Sequence, residues 1–138
     1  MTAFILLLLT VILWGSSPIL EKTGLRNTSP IIALTIRSIG VTVILIISLI
    51  SLGRFKEVFS VGGKTASLFV ISGIMAGLLG MWTYFGALKA GATSKIVPIA
   101  ACYPLITAFL SIIILKENVT LARLIGTLLI IGGIWLVR

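Results

Sequence analysis

The chain has no histidine and no aspartate, and it carries one cysteine, Cys102. Metal clusters, disulfides and the acid–base relay of a hydrolase all need residues that are missing here. Charge is scarce as well. Only 10% of the 138 residues are Asp, Glu, Lys or Arg, against 59% hydrophobic, and the mean hydropathy is +1.27. Soluble chains carry about a quarter charged residues, so so few charges cannot cover a water-exposed globule. The net charge of +8 comes from eleven scattered lysines and arginines. With no basic run and no interleaved aromatics, it excludes a nucleic-acid partner and reads as membrane-boundary charge. No cofactor is expected. A membrane enzyme ranks last among the readings, because no pair of acid, base or nucleophile lies in one span.

What the chain does have is long apolar runs. A hydrocarbon core about 30 Å thick takes about 20 apolar residues in a helix. Five runs of that kind are bounded by charge: Ala3 to Leu20, Ile31 to Leu52, Ala66 to Leu88, Ile96 to Leu115, and a last run starting between Val119 and Leu124 and ending at Val137. Barrel strands are excluded, since the apolar residues run continuously and the segments are about twice the ~10 residues of a tilted strand. A cleaved signal peptide competes for the first run. It lacks the basic start, however, and Pro18, Ile19 and Leu20 carry the apolar segment past the Gly15 to Ser17 cleavage zone. The connections are too short to fold alone. The expectation is an all-α, multi-pass integral membrane protein with residues 1–138 as one domain, bathed in membrane lipid.

With five spans the two termini lie on opposite faces. Arg54, Lys56, Lys64, Lys116 and Arg123 fall on one face, and Lys22, Arg26, Lys89, Lys95 and Arg138 on the other. Orientation follows an imbalance of Lys and Arg. A five-to-five tie predicts insertion both ways, unless Arg37 or an uneven weighting of the loops fixes one orientation.

Within the spans, Trp14-Gly15-Ser16-Ser17-Pro18 is expected to break the first helix, because Pro18 cannot donate to the Trp14 carbonyl. The bland alternative is a simple kink satisfied by Ser16 and Ser17. Pro98 and Pro104 predict a second kinked helix, in which Pro104 releases the carbonyl of Ala100. Gly73, Gly77, Gly80 and Tyr84 fall on one face at α-helical spacing, with Gly126 and Gly133 seven apart in the last span, and both sets invite close packing. Trp82 and Trp135 suit an interface belt, while Trp14 is mid-span.

Arg37 lies six residues, about 9 Å, into the second span. It is either a functional intramembrane charge or a side chain snorkelling back to the nearer face. All three acids, Glu21, Glu57 and Glu117, fall in the connections. No carboxylate is therefore expected inside the membrane to neutralise Arg37, and an anionic or zwitterionic substrate is its expected partner. Trp14, Ser16, Ser17, Tyr84 and Tyr103 complete the expected substrate site, with Pro18, Pro98 and Pro104 as helix kinks.

These residues resemble the EamA family of the drug/metabolite transporter superfamily, which shows a W-G-S-S motif in its first span and an arginine in its second, here Trp14 to Ser17 and Arg37. The second half matches through Tyr84 to Leu88, Ala92, Pro104-Leu105, Glu117, Gly126 and Gly132-Gly133. The resemblance implies one half of a ten-helix, inverted-repeat exporter of metabolites or amino acids. Glu117 and Thr120 are then structural, at the turn before the last span. The chain is also similar to the shorter small multidrug resistance transporters, which are dual-topology dimers, but it has Trp14 and no acid at their first-span carboxylate position. The combined expectation is an antiparallel homodimer in a prokaryotic cytoplasmic membrane, working by alternating access. Half of a heterodimer, a lipid-carrier flippase and a non-transporting structural or regulatory subunit are the alternatives.

Overall fold

The computed structural model describes residues 2–118 and 120–137, and every regular element among them is helical. Met1, Val119 and Arg138 lie outside the described residues, and with them one limit of the last span and one of the counted charges. The chain forms two compact units, the first ending at Lys89 and the second starting at Ala90.

In the first unit, α1 (Thr2–Gly24) is one continuous helix. The expected break at Trp14 to Pro18 does not occur. Pro18 is buried inside the helix, and the neighbouring hydroxyls are satisfied locally: Ser16 Oγ donates to the Leu13 carbonyl at 3.1 Å, and Ser17 Oγ donates to Glu21 Oε1 at 2.9 Å. A missing amide hydrogen bond is tolerated where side chains and packing hold the turn. The helix also runs past the apolar limit at Leu20, so Glu21 sits in its last turn and not in a connection. Hydropathy marks where a span stops being apolar; the hydrogen-bond ladder needs no such change and stops at Gly24.

Helix α2 (Pro30–Ser51) begins on a proline, whose missing N–H would have had no partner in a first turn anyway. It ends on Gly53 at φ +68°. The Gly53 N–H donates to the Ile50 carbonyl at 3.0 Å and the Arg54 N–H to the Leu49 carbonyl at 2.9 Å, the paired bonds of a Schellman cap. A short turn of helix, α3 (Glu57–Ser60), follows. The third span, Gly63–Ala90, is composite: α4 (Gly63–Ser72), a π-helical stretch (Gly73–Gly80) and α5 (Met81–Ala90). The wider i→i−5 turns spoil the small-residue face expected from α-helical spacing of Gly73, Gly77 and Gly80. Nothing lies within 4 Å of a Cβ built on Gly73 or Gly77, whereas on Gly80 it would meet the Met75 carbonyl at 3.1 Å.

Hydroxyls along these spans fold back onto the preceding turn, as Thr10 does on Leu6, Thr35 on Ile31 and Ser48 on Ile44. Polar groups facing lipid are thereby satisfied within their own helix. The buried hydrophobic side chains are Leu25, Leu34, Phe85 and Leu88, all at the end where α1 finishes, α2 starts and α5 finishes. Elsewhere the helices present apolar side chains outward, which suits lipid as solvent.

In the second unit, the fourth span is broken. Helix α6 (Thr93–Ala100) contains Pro98, and α7 (Tyr103–Leu115) starts afresh with Pro104 in its first turn. Between them the Cys102 N–H bonds back to the Ile99 carbonyl at 3.1 Å and the Leu105 N–H to the Cys102 carbonyl at 2.9 Å, both three residues apart. Pro104 is thus the start of a helix and not a kink within one. Helix α7 ends on Lys116, a non-glycine at φ 53°. Helix α8 (Leu121–Val137) has 17 residues, about 26 Å at 1.5 Å each. Among the described residues, four helical segments are therefore long and apolar enough to cross a membrane, and α8 contains a shorter apolar helix.

Candidate functional site

The end of the first unit that holds its small core also gathers its polar side chains. Ser17 and Glu21 are spaced by four along α1 and Leu25 follows by four in the turn just beyond it, so one face presents a hydroxyl, a carboxylate and an apolar anchor in turn. From α2, Arg37 reaches back toward the helix N-terminus, the direction in which helical side chains lean. Its Nε stands 3.9 Å from Glu21 Oε1. That is an ion pair with a gap, too long for a hydrogen bond.

The two partners are unequally covered: the Glu21 side chain is 12% exposed and the Arg37 side chain 45%. Arg37 has no other partner among the described residues, so one side of its planar fork is open. Tyr84, half-buried on α5, leans its ring against Phe85 with centroids 6.2 Å apart.

Two lysines close the same end. Lys22 Nζ donates to the carbonyls of Leu88 at 2.6 Å and Lys89 at 3.1 Å, meeting the negative end of α5. Lys89 Nζ donates in return to the Thr28 carbonyl at 2.8 Å, in the connection between α1 and α2. This double staple holds three helix ends together at the edge of the membrane. The geometry favours snorkelling and function alike for Arg37, since its side chain turns toward the near face and meets a carboxylate there.

Of the expected site residues, Ser17 and Arg37 come together at Glu21, and Tyr84 lies in the same unit against Phe85. Trp14 is 64% exposed, and Ser16 is turned to its own backbone, so neither joins them. Tyr103 belongs to the second unit, where it borders an open groove of about 440 Å³ with Thr107, Ser111, Glu117 and Thr127. The expectation that no acid could neutralise Arg37 is corrected by Glu21. The signal for it was available: Ser17 and Glu21 stand four apart on one helical face, but the first charge after an apolar run reads as the start of a loop.

A second polar feature lies on α2. Thr35, Ser38 and Thr42 share one face and line an open groove of about 350 Å³ with Leu34, Ile39 and Leu78. Arg37 is not among its lining residues.

The sequence profile of the EamA-like transporter family matches residues 1–138, the whole chain. An uncharacterized protein of Methanocaldococcus jannaschii is 32% identical over 133 residues, which cover 96% of this chain and 93% of that protein. An uncharacterized transporter of Archaeoglobus fulgidus is 26% identical over 137 residues, 99% of this chain but only 48% of its own length, so the chain spans about half of that relative. No solved structure matches the chain. A multi-pass chain of apolar helices, with a charge pair set between two of them and a family match from end to end, belongs to the EamA-like transporter family.

Proposed function

We propose that this chain is the working half of a small-molecule transporter of the metabolite or amino-acid exporter type. Two copies inserted in opposite orientations form an antiparallel homodimer in a prokaryotic cytoplasmic membrane and move cargo by alternating access. Helix α8 completes the fifth span, making residues 1–138 one inverted-repeat half, and no chemical step is involved.

The observation that carries the reading is the Arg37–Glu21 pair, since charge placed inside a membrane-spanning helix is expensive and belongs to a substrate path by default. Arg37 takes an anionic or zwitterionic cargo, with Ser17 and Tyr84 beside it; Trp14, Ser16 and Tyr103 serve the path elsewhere on the chain, and the break between Pro98 and Pro104 is where its helices yield. The five-to-five split of boundary charges supports insertion both ways.

Reporter tags fused to the C-terminus test the topology, and flux from liposomes holding this chain alone tests the transport. Tags found on both faces together with flux are the expected result. A C-terminus on one face only sinks dual topology; flux that appears only with a second, different chain replaces the homodimer by a heterodimer; inertness in both settings leaves a structural or regulatory subunit.

A further inference from the structure

Arg37 is already occupied in part, by a group of the same charge as the cargo it is read to bind. Glu21 Oε1 is held at 3.9 Å from Arg37 Nε while accepting a hydrogen bond from Ser17 Oγ at 2.9 Å. The carboxylate is almost enclosed and the guanidinium is almost half open. An anion arriving from outside therefore meets the arginine first and contends with Glu21 for it. If the arginine turns to the newcomer, Glu21 is left in an enclosed place without a counter-charge.

Tyr84 of α5 is a phenol, and Lys22 of α1 and Lys89 of α5 already donate to backbone carbonyls. An enclosed carboxylate whose arginine has turned away is neutralised by a proton, because leaving it charged costs far more.

Taking Arg37 as the cargo-binding group of the transporter proposed above, we propose that Glu21 is a built-in competitor which a carboxylate-bearing cargo displaces, and that the displaced Glu21 takes up one proton. Cargo and proton thus bind together. The charge count closes: a neutral Arg37–Glu21 pair becomes a neutral Arg37–cargo pair beside a protonated Glu21. The proton comes from water, and no covalent bond is made or broken. A single freed guanidinium matches one negative charge, which favours a monoanionic carboxylate over a dianionic phosphate monoester. The planar fork suits a carboxylate's two oxygens.

The experiment is calorimetric titration of the full chain in detergent with acetate and with benzoate, each in buffers of different ionisation enthalpy so that the protons exchanged are counted. For the wild-type chain the expected result is uptake of one proton per carboxylate, with affinity falling up to about tenfold per pH unit as pH rises. Glu21→Gln should bind both probes more tightly, with no proton uptake and no dependence on pH. Arg37→Leu should bind neither, and Glu57→Gln should behave as wild type.

Infrared spectra of a Glu57→Gln/Glu117→Gln chain, in which Glu21 is the sole acidic side chain, give a second readout that leaves the site itself unaltered. Benzoate should convert its carboxylate band to a carboxylic acid band. Binding without proton uptake, proton uptake that survives Glu21→Gln, an unchanged infrared band, or failure of both probes to bind overturns the inference. Flux without proton-linked binding sinks the coupling and leaves transport standing; proton-linked binding without flux does the reverse.

Discussion

Helix α1 and the α6–α7 segment each carry a proline inside an apolar run, yet the first stays one helix and the second becomes two. Proline removes the same amide and crowds the same preceding carbonyl in both places. What differs is the company. Pro18 is buried, with Ser16 and Ser17 bonding within the helix on either side of the turn, whereas Pro104 follows Pro98 by six residues and a stretch, Ala101-Cys102, that tightens into three-residue bonds. A proline inside an apolar run thus does not by itself decide whether a membrane helix breaks there.

The strongest way to break that comparison is Pro104→Ala, which returns a donor for the Ala100 carbonyl and should fuse α6 with α7. One restored backbone bond of ~1.4 kcal/mol that favours the straight form should lower flux about tenfold while the protein still inserts and dimerises. Cys102, the lone thiol and half-buried beside Ile99 and Leu105, provides a local readout: its rate of maleimide labelling should change in step. Pro18→Ala should leave flux within about twofold, since α1 already runs through. Equal losses from the two substitutions would show that the break at Ala101-Cys102 has no special role.

Next in size is the lysine staple. Lys22→Met removes the charge-assisted bonds to the Leu88 and Lys89 carbonyls and should destabilise the first unit by about 2 kcal/mol, read as a fall in Tm in detergent. An unchanged Tm would mean that the apolar cluster of Leu25, Leu34, Phe85 and Leu88 closes that end without help.

Helix endings allow a finer contrast, because α2 and α7 both end in the left-handed region, one on Gly53 and the other on Lys116. Gly53→Ala should cost about 1 kcal/mol and Lys116→Gly should gain a similar amount, since only glycine takes that conformation without a Cβ clash. Opposite shifts in Tm of comparable size are the expected outcome.

The smallest effect lies on the surface. Arg54 binds Glu57 through Nε and a 2.7 Å bond from Nη2, and that hydrogen bonding, aided by the opposite charge, holds the Glu57 carboxyl below its ordinary range while raising the Arg54 guanidinium. A depressed carboxyl stabilises the fold above the unfolded carboxylate value and loses that contribution as pH falls through the lowered folded value. Glu57→Gln should therefore lower stability slightly at neutral pH and flatten its acid limb. Because both groups are fully exposed, solvent and salt screen the pair, and 1 M salt should erase the difference.

Much of the molecule was legible because lipid imposes simple rules. The spans at Ile31 to Leu52 and Ala66 to Leu88 agree with α2 and with the Gly63–Ala90 segment to within a few residues, since a chain in hydrocarbon must bond its own backbone over the full thickness. Arg37, Ser17 and Tyr84 were legible as polar residues inside apolar runs. Glu21 was not, although Ser17 and Arg37 both meet it, because hydropathy cannot see a helix continue past its apolar limit. The π-helical stretch at Gly73–Gly80 was equally hidden: glycine permits the wider turn without demanding it.

By itself the sequence determined the solvent of the protein, its helical class and its positive boundary charges, all of which follow from side-chain transfer energies summed over about 20 residues at a time. Tertiary structure alone decided which proline broke a helix, and which acid met Arg37 at 3.9 Å. The first depends on the bonding of a single turn and the second on a single contact between two helices, and a lone contact leaves no periodic trace along the chain.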